Sequence, residues 1–348
     1  MTTAPPAHAA AAGAGPRPPR SDRFRLRGPA WLAWRQSRAA ARTYGAVLLL
    51  AVLASLAVHW RLGGLFEAQA QARARPECDL ADSWRLAACR DPYLDGMFLA
   101  SWYTRVARPV MFALPLVVGM SLGAPLLAEE YERGTLRLVR AQSVSPARWL
   151  RARLLAPALL VLCAVGPLSA VVSWIWYEDL HRHWNRFDSP FAGLAYASVG
   201  AAPLAWSLFA LAVGLALGAL LRRTVAAVLA TGALVLLTQG LFRYARVHFL
   251  PLETATQPAS GLRNPAGFDP PPGAWLVGQG AQLPDGTRLT EGQCLADSSP
   301  CAGATTAWGR YHPVSQFVPM QLVEAGLLLA LAAGLVWFVF RRVARSAG

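Results

Sequence analysis

Lysine is absent from this 348-residue chain. A phosphate-cradling Gly-x-x-x-x-Gly-Lys-Ser/Thr loop needs that lysine, so the chain is not expected to be an enzyme that hydrolyses ATP, and it is expected to bind no cofactor of its own. Charge of either sign is scarce at 15% of residues, against about 25% in a soluble domain. The five cysteines include no Cys-x-x-Cys pair, which weighs against a structural zinc site. A cleavable secretory leader is not expected, because residues 1–28 are mostly Ala, Pro, Gly and Arg with no apolar core. They read as a disordered tail.

What is abundant is apolar: 55% of the residues are hydrophobic. The few charges sit in clusters and leave long uncharged stretches between them. A membrane-spanning helix needs about 20 mostly apolar residues. Six such spans are expected, at 43–60, 109–128, 154–176, 194–221, 224–242 and 317–340. In hydrocarbon every backbone N–H and C=O must bond internally, so these are helices. The fold class is an all-α polytopic membrane protein of six transmembrane helices.

The net charge of +14 suggests nucleic acid until it is divided by side. With the N-terminus placed in the cytoplasm, the inner segments hold 19 arginines against 4 acidic residues, and the outer segments hold 14 of each. This is the positive-inside asymmetry. It places both termini in the cytoplasm and removes the case for nucleic acid; the partner surface is the lipid bilayer, and the absence of lysine with so much Ala, Arg and Gly suggests a high-GC bacterial genome, hence a bacterial cell membrane. Cys78 and Cys89 share the first outer loop, and Cys294 and Cys301 share the third. Disulfides persist in oxidising compartments, so bridges 78–89 and 294–301 are expected, out of three possible connectivities.

The expected order along the chain is a tail at 1–28, an interfacial amphipathic helix at 29–42 and spans 1–5 over 43–242. An extracellular domain at 243–316, span 6 and a cytoplasmic tail at 341–348 follow. Arg35, Arg38 and Arg42 line one face of the 29–42 helix, with Trp31 and Trp34 at its leading end, as in a helix lying on the inner leaflet; the alternative is a simple cytoplasmic extension of the first span. In the extracellular domain, Pro284-Asp285-Gly286 predicts a turn between 274–283 and 287–290, hence a β-hairpin.

Segment 129–153 between spans 2 and 3 is the most informative. An acidic patch, Glu129, Glu130 and Glu132, is broken by Gly134. Thr135 can cap a short helix over 136–142, and Ser143 and Val144 end it. Ser145 and Pro146 start the next helix, which runs on into span 3. A plain connection would need only a few polar residues. A capped helix carrying Leu136, Arg137, Leu138 and Val139 implies a partner surface.

The run Glu-Tyr-Glu-Arg-Gly-Thr-Leu-Arg-Leu-Val-Arg-Ala-Gln-Ser-Val-Ser-Pro-Ala-Arg-Trp-Leu at 130–150 resembles the loop between spans 2 and 3 of ABC-2 type transporter permeases. Trp-Leu-Ala-Trp-Arg-Gln at 31–36, Tyr-His-Pro-Val-Ser-Gln-Phe at 311–317 and Val-Glu-Ala-Gly at 323–326 resemble actinobacterial members. The resemblance implies that 134–142 is a coupling helix docking on a separate ABC ATPase subunit, present in two copies, which would bring ATP and Mg. It implies an exporter built from two copies of this chain, or from this chain and a paralogue. The alternative is a non-transporting membrane sensor or assembly scaffold with a partner-binding ectodomain. Glu129-Glu130-x-x-Arg133 is one residue short of an intramembrane protease motif, and the histidines such an enzyme needs within its spans are missing.

Other residues carry narrower expectations. Glu324, a charge inside span 6, is a candidate gating or substrate contact, or a helix-to-helix hydrogen bond. Gly214 and Gly218 form a small-xxx-small face, for packing within the chain or for dimerisation. Pro115, Pro125, Pro157 and Pro167 should kink spans 2 and 3. Trp174, Trp176, Tyr177 and Trp337 read as interface anchors.

Overall fold

In the computed structural model, six helices among the described residues are long and apolar enough to cross a membrane. They are span 1 (Arg42–Arg73), span 2 (Ala87–Glu132), span 3 (Arg148–Glu178), span 4 (Ala202–Leu221), span 5 (Thr224–His248) and span 6 (Val314–Val343). The structure describes residues 29–78, 86–134, 146–178, 180, 189–191, 193–258, 267–294, 301 and 303–345, with 29–41, 146, 147 and 344 as backbone alone. The 1–28 tail lies outside the described residues, as do Thr135, Leu136, Arg137, Val139, Ser143 and Ser145.

The first two spans run well past the apolar stretches that announce them. Span 1 continues to Arg73 through Phe-Glu-Ala-Gln-Ala-Gln-Ala-Arg, and span 2 starts at Ala87. Ala, Glu, Gln and Arg are good helix formers, and apolarity marks where a helix is buried in lipid rather than where it stops. A 32-residue helix at 1.5 Å per residue exceeds a hydrocarbon core of about 30 Å, so both helices project beyond it. The bridge Cys78–Cys89 joins the two projections.

Residues 29–42, expected as a separate helix lying on the membrane, are instead continuous with span 1 in one helix, Pro29–Arg73. No Pro or Gly interrupts the backbone ladder between 30 and 44, so nothing forces a break. Span 4 starts later than the uncharged stretch suggested. Residues 195–198 form a separate turn of helix, Gly200 adopts φ +71°, and the span begins at Ala202 with Pro203 in its first turn.

Span 4 is the central helix. Of its most apolar window 72% is buried, against 17–39% in the other five. It crosses span 2 with backbones nearly touching: a Cβ on Gly214 would lie 2.5 Å from the Gly119 carbonyl oxygen, and one on Gly218 would lie 2.5 Å from that of Ala124. Gly119 and Gly123 reciprocate, facing the carbonyls of Ala210 and Leu211. The small-residue face therefore packs inside the chain, where only glycine permits the approach.

The prolines act unequally. Pro125 opens the last segment of span 2, and the turn before it, Gly119–Gly123, is a π-helix. A missing N–H and a ring clash one turn back account for such a distortion. Pro157 and Pro167 instead sit within one unbroken helix, Pro146–Ile175, so the expected kink in span 3 is no break. Trp174, Tyr177 and Trp337 are exposed, as interface anchors should be, whereas Trp176 is buried against Tyr177 and Phe317.

Between spans 5 and 6 stands a four-stranded antiparallel sheet in the order β1 (Glu253–Pro258), β4 (Thr306–His312), β2 (Trp275–Gln282), β3 (Arg288–Thr290). The hairpin expected at Pro284-Asp285-Gly286 is β2–β3: the Leu283 N–H donates to the Thr287 carbonyl, and Gly286 adopts φ +87°. Cys294–Cys301 closes the adjoining loop. His312, fully buried, ties the sheet to the bundle through Gln316 Oε1 (2.7 Å) and the Val247 carbonyl (3.3 Å).

Candidate functional site

Two polar constellations lie at opposite ends of the bundle. At the end bearing the 129–153 connection, spans 2, 3, 4 and 6 share an apolar cluster of Leu127, Leu150, Leu215, Val339 and Val343. On this base the three glutamates take three separate partners. Glu129 pairs with Arg133 one turn on, at 3.1 Å and largely in solvent. Glu130, half-buried, pairs with Arg153 of span 3. Glu132 accepts from the Thr224 N–H at 2.9 Å and from the Thr224 hydroxyl at 2.6 Å.

The last contact has a simple physical cause. Thr224 opens span 5, and the first N–H groups of a helix have no partner inside it. A carboxylate there satisfies two donors and meets the positive end of the helix dipole. Arg222, the residue before this junction's last, sits in the left-handed region at φ 56°, and its guanidinium lies 5.2 Å from the Tyr131 ring centre. Gly134 ends the span 2 helix at φ +66°, a conformation glycine adopts without strain. The end of span 2 is thus fastened to span 3 by Glu130 and to the span 4–5 corner by Glu132 and Tyr131. Of the residues expected to form the coupling site, the structure brings Glu129, Glu130, Glu132 and Gly134 into this junction.

At the sheet end, Glu324 of span 6 is fully buried. Its two oxygens receive Arg246 Nε at 2.7 Å and Nη2 at 2.9 Å, a two-pronged contact, and Trp206 Nε1 adds a third bond at 2.7 Å. The Arg246 guanidinium lies 4.0 Å from the centre of the Tyr196 ring. One turn earlier, Gln321 receives the Ala201 N–H and donates to the carbonyls of Tyr196 and Val199. Span 6 is thereby stitched to the break before span 4 and to the end of span 5. Glu324 thus joins spans 4, 5 and 6 through hydrogen bonds to Trp206 and Arg246. Arg246 went unread in the sequence because it falls just beyond the apolar stretch of span 5. The available signal was Glu324 itself, since a carboxylate in a span needs a nearby cation.

A family model described as "ABC-2 membrane transporter related" matches residues 45–246. The match takes in spans 2 to 4, all but the ends of spans 1 and 5, and every described residue of the acidic junction. No curated protein and no solved structure matches the chain.

Proposed function

Since the chain belongs to the ABC-2 membrane transporter related family, which makes it a permease subunit of an ABC transporter, we propose that it is an exporter subunit driven through its 129–153 connection by a separate ATPase. The connection faces the cytoplasm of a bacterial plasma membrane, with both termini on that side and the sheet outside. Two ATPase subunits carry ATP and Mg, and the permease pairs with a second copy or a paralogue. Leu136, Leu138 and Val139 seat in a groove on the ATPase, flanked by Arg137 and ended at Ser143 and Ser145.

The observation that carries this reading is the fastening of the acidic segment. Closure of the ATPases would displace the 134–142 segment. Because Glu130 holds Arg153 and Glu132 holds Thr224, a displacement of span 2's end is passed to spans 3 and 5 rather than absorbed in a loose loop. This is mechanical coupling between two packed arrangements biased by nucleotide.

The test is Leu136→Asp. A charge buried unpaired at the contact costs several kcal/mol, enough to undo a modest interface, while the spans are untouched. The variant should insert and accumulate normally yet lose the co-purifying ATPase, or lose substrate-stimulated ATP turnover in the reconstituted complex. Arg288→Ala on the sheet should do neither. Intact assembly and intact stimulated turnover with Leu136→Asp would overturn the coupling assignment and leave the scaffold reading in its place.

A further inference from the structure

Beside the Glu324 cluster lies a cavity of about 160 Å³ whose walls are mostly apolar: Phe112 of span 2, Leu194, Trp206 of span 4 and Leu236 of span 5. Three polar residues of span 5 also line it, Gln239, Arg243 and Arg246. A second cavity, of about 250 Å³, shares Gly193, Arg243 and Arg246 with the first and continues beneath the sheet past Tyr196 and Trp275.

The three polar groups differ in what they have left to offer. Arg246 is spent on Glu324. Arg243, exposed in the last turn of the span 5 helix, makes no hydrogen bond or ion pair among the described residues. Gln239 is only 6% exposed, and its Oε1 has no hydrogen-bond partner among the described residues; its Nε2 makes only a long contact, 3.4 Å, to the Phe112 carbonyl. A buried acceptor left unpaired is costly, and a donor brought by a ligand would recover that cost. Arginine near a span end commonly snorkels to the interface, but snorkelling alone builds no cavity behind it and leaves no buried amide unpaired.

We propose that this cavity binds an anionic amphiphile: a phosphate or carboxylate on Arg243, an adjacent hydroxyl or N–H donating to Gln239 Oε1, and an apolar body against Phe112, Leu194 and Leu236. Leu236 and Leu237 are exposed on the same helix, so the body of the ligand lies along a face that meets the lipid. The site is at the opposite end of the bundle from the 129–153 connection, and its occupancy does not depend on ATPase coupling.

The probe is a single-chain phosphatidylglycerol, anionic and hydroxyl-bearing, added to the full chain in neutral detergent and counted by native mass spectrometry. Single-chain phosphatidylcholine of the same tail is the comparison. Wild type should hold the glycerol lipid about tenfold more tightly than the choline lipid, and Arg243→Gln and Gln239→Leu should each weaken the glycerol lipid by about tenfold, the size of one charged hydrogen bond. Arg288→Gln should bind as wild type. If glycerol 3-phosphate displaces the lipid at comparable concentration, the anion–donor chemistry stands and its source is a soluble phosphate; if it does not, the source is the lipid. Equal binding of the two lipids, or wild-type binding by both Arg243→Gln and Gln239→Leu, would overturn the assignment.

Discussion

The Glu324 carboxylate has three donors and side-chain exposure of only 1%, and its partner Arg246 only 8%. Such a pair adds little beyond an apolar replacement, because desolvating two ions offsets their attraction. Breaking it is another matter, since one charge then stays buried alone. Arg246→Leu is expected to destabilise the detergent-solubilised protein by about 3–5 kcal/mol. Glu324→Leu combined with Arg246→Leu should recover most of that loss. Thermal unfolding of the three proteins decides the matter: a double variant no better than Arg246→Leu would mean the cost lies in lost packing against Tyr196. The charge in span 6 was readable from sequence as an anomaly; the identity of its partner, 78 positions away, was not.

Among elements, the crossing of spans 2 and 4 is the most demanding contact in the bundle. For Gly119, Gly123, Gly214 and Gly218 the nearest atom to an added Cβ is a backbone carbonyl oxygen, and a carbonyl on a helix cannot swing aside. Gly214→Val should therefore force the two helices apart, with a sharp loss of monodisperse protein in size-exclusion chromatography after extraction. Gly326→Val, on span 6 with nothing within 4 Å of its added Cβ, should elute as wild type. Equal behaviour of the two would show the crossing to be looser than its backbone distances. The Gly-x-x-x-Gly spacing announced a close approach, but spacing names only one partner of a contact. The prolines carry a similar lesson: a π-helical turn precedes Pro125, whereas Pro157 lies within one unbroken helix.

For the molecule as a whole, the 19-to-4 against 14-to-14 division of charge makes the topology testable. A single cysteine at Arg140→Cys should react with a membrane-impermeant maleimide only when the inner face is opened, and one at Asp285→Cys should react in intact cells. Cys163, the free thiol, is replaced by Ser for the purpose, and the four bridge cysteines are unreactive while oxidised. Labelling of position 140 from outside would invert the topology and remove the connection from any cytoplasmic ATPase.

Transfer from water to hydrocarbon depends on a segment's own composition, so the sequence alone determined the six spans. The same local chemistry yielded the turn at Pro284-Asp285-Gly286 and the helix end at Gly134, where Gly286 and Gly134 each take a left-handed backbone conformation. Strands β1 and β4 were not legible. They pair across more than 40 positions, Pro258 with Thr306, and their stability comes from neighbours that no local window contains. The helical projections of spans 1 and 2 escaped notice because polar helix formers carry no apolar mark. Only the tertiary structure decided that Glu130 and Glu132 fasten three helices together, that Arg246 neutralises Glu324, and that span 4 is the buried centre. Each of these depends on charges or backbones meeting at short range, and which residues meet is set by how the helices cross.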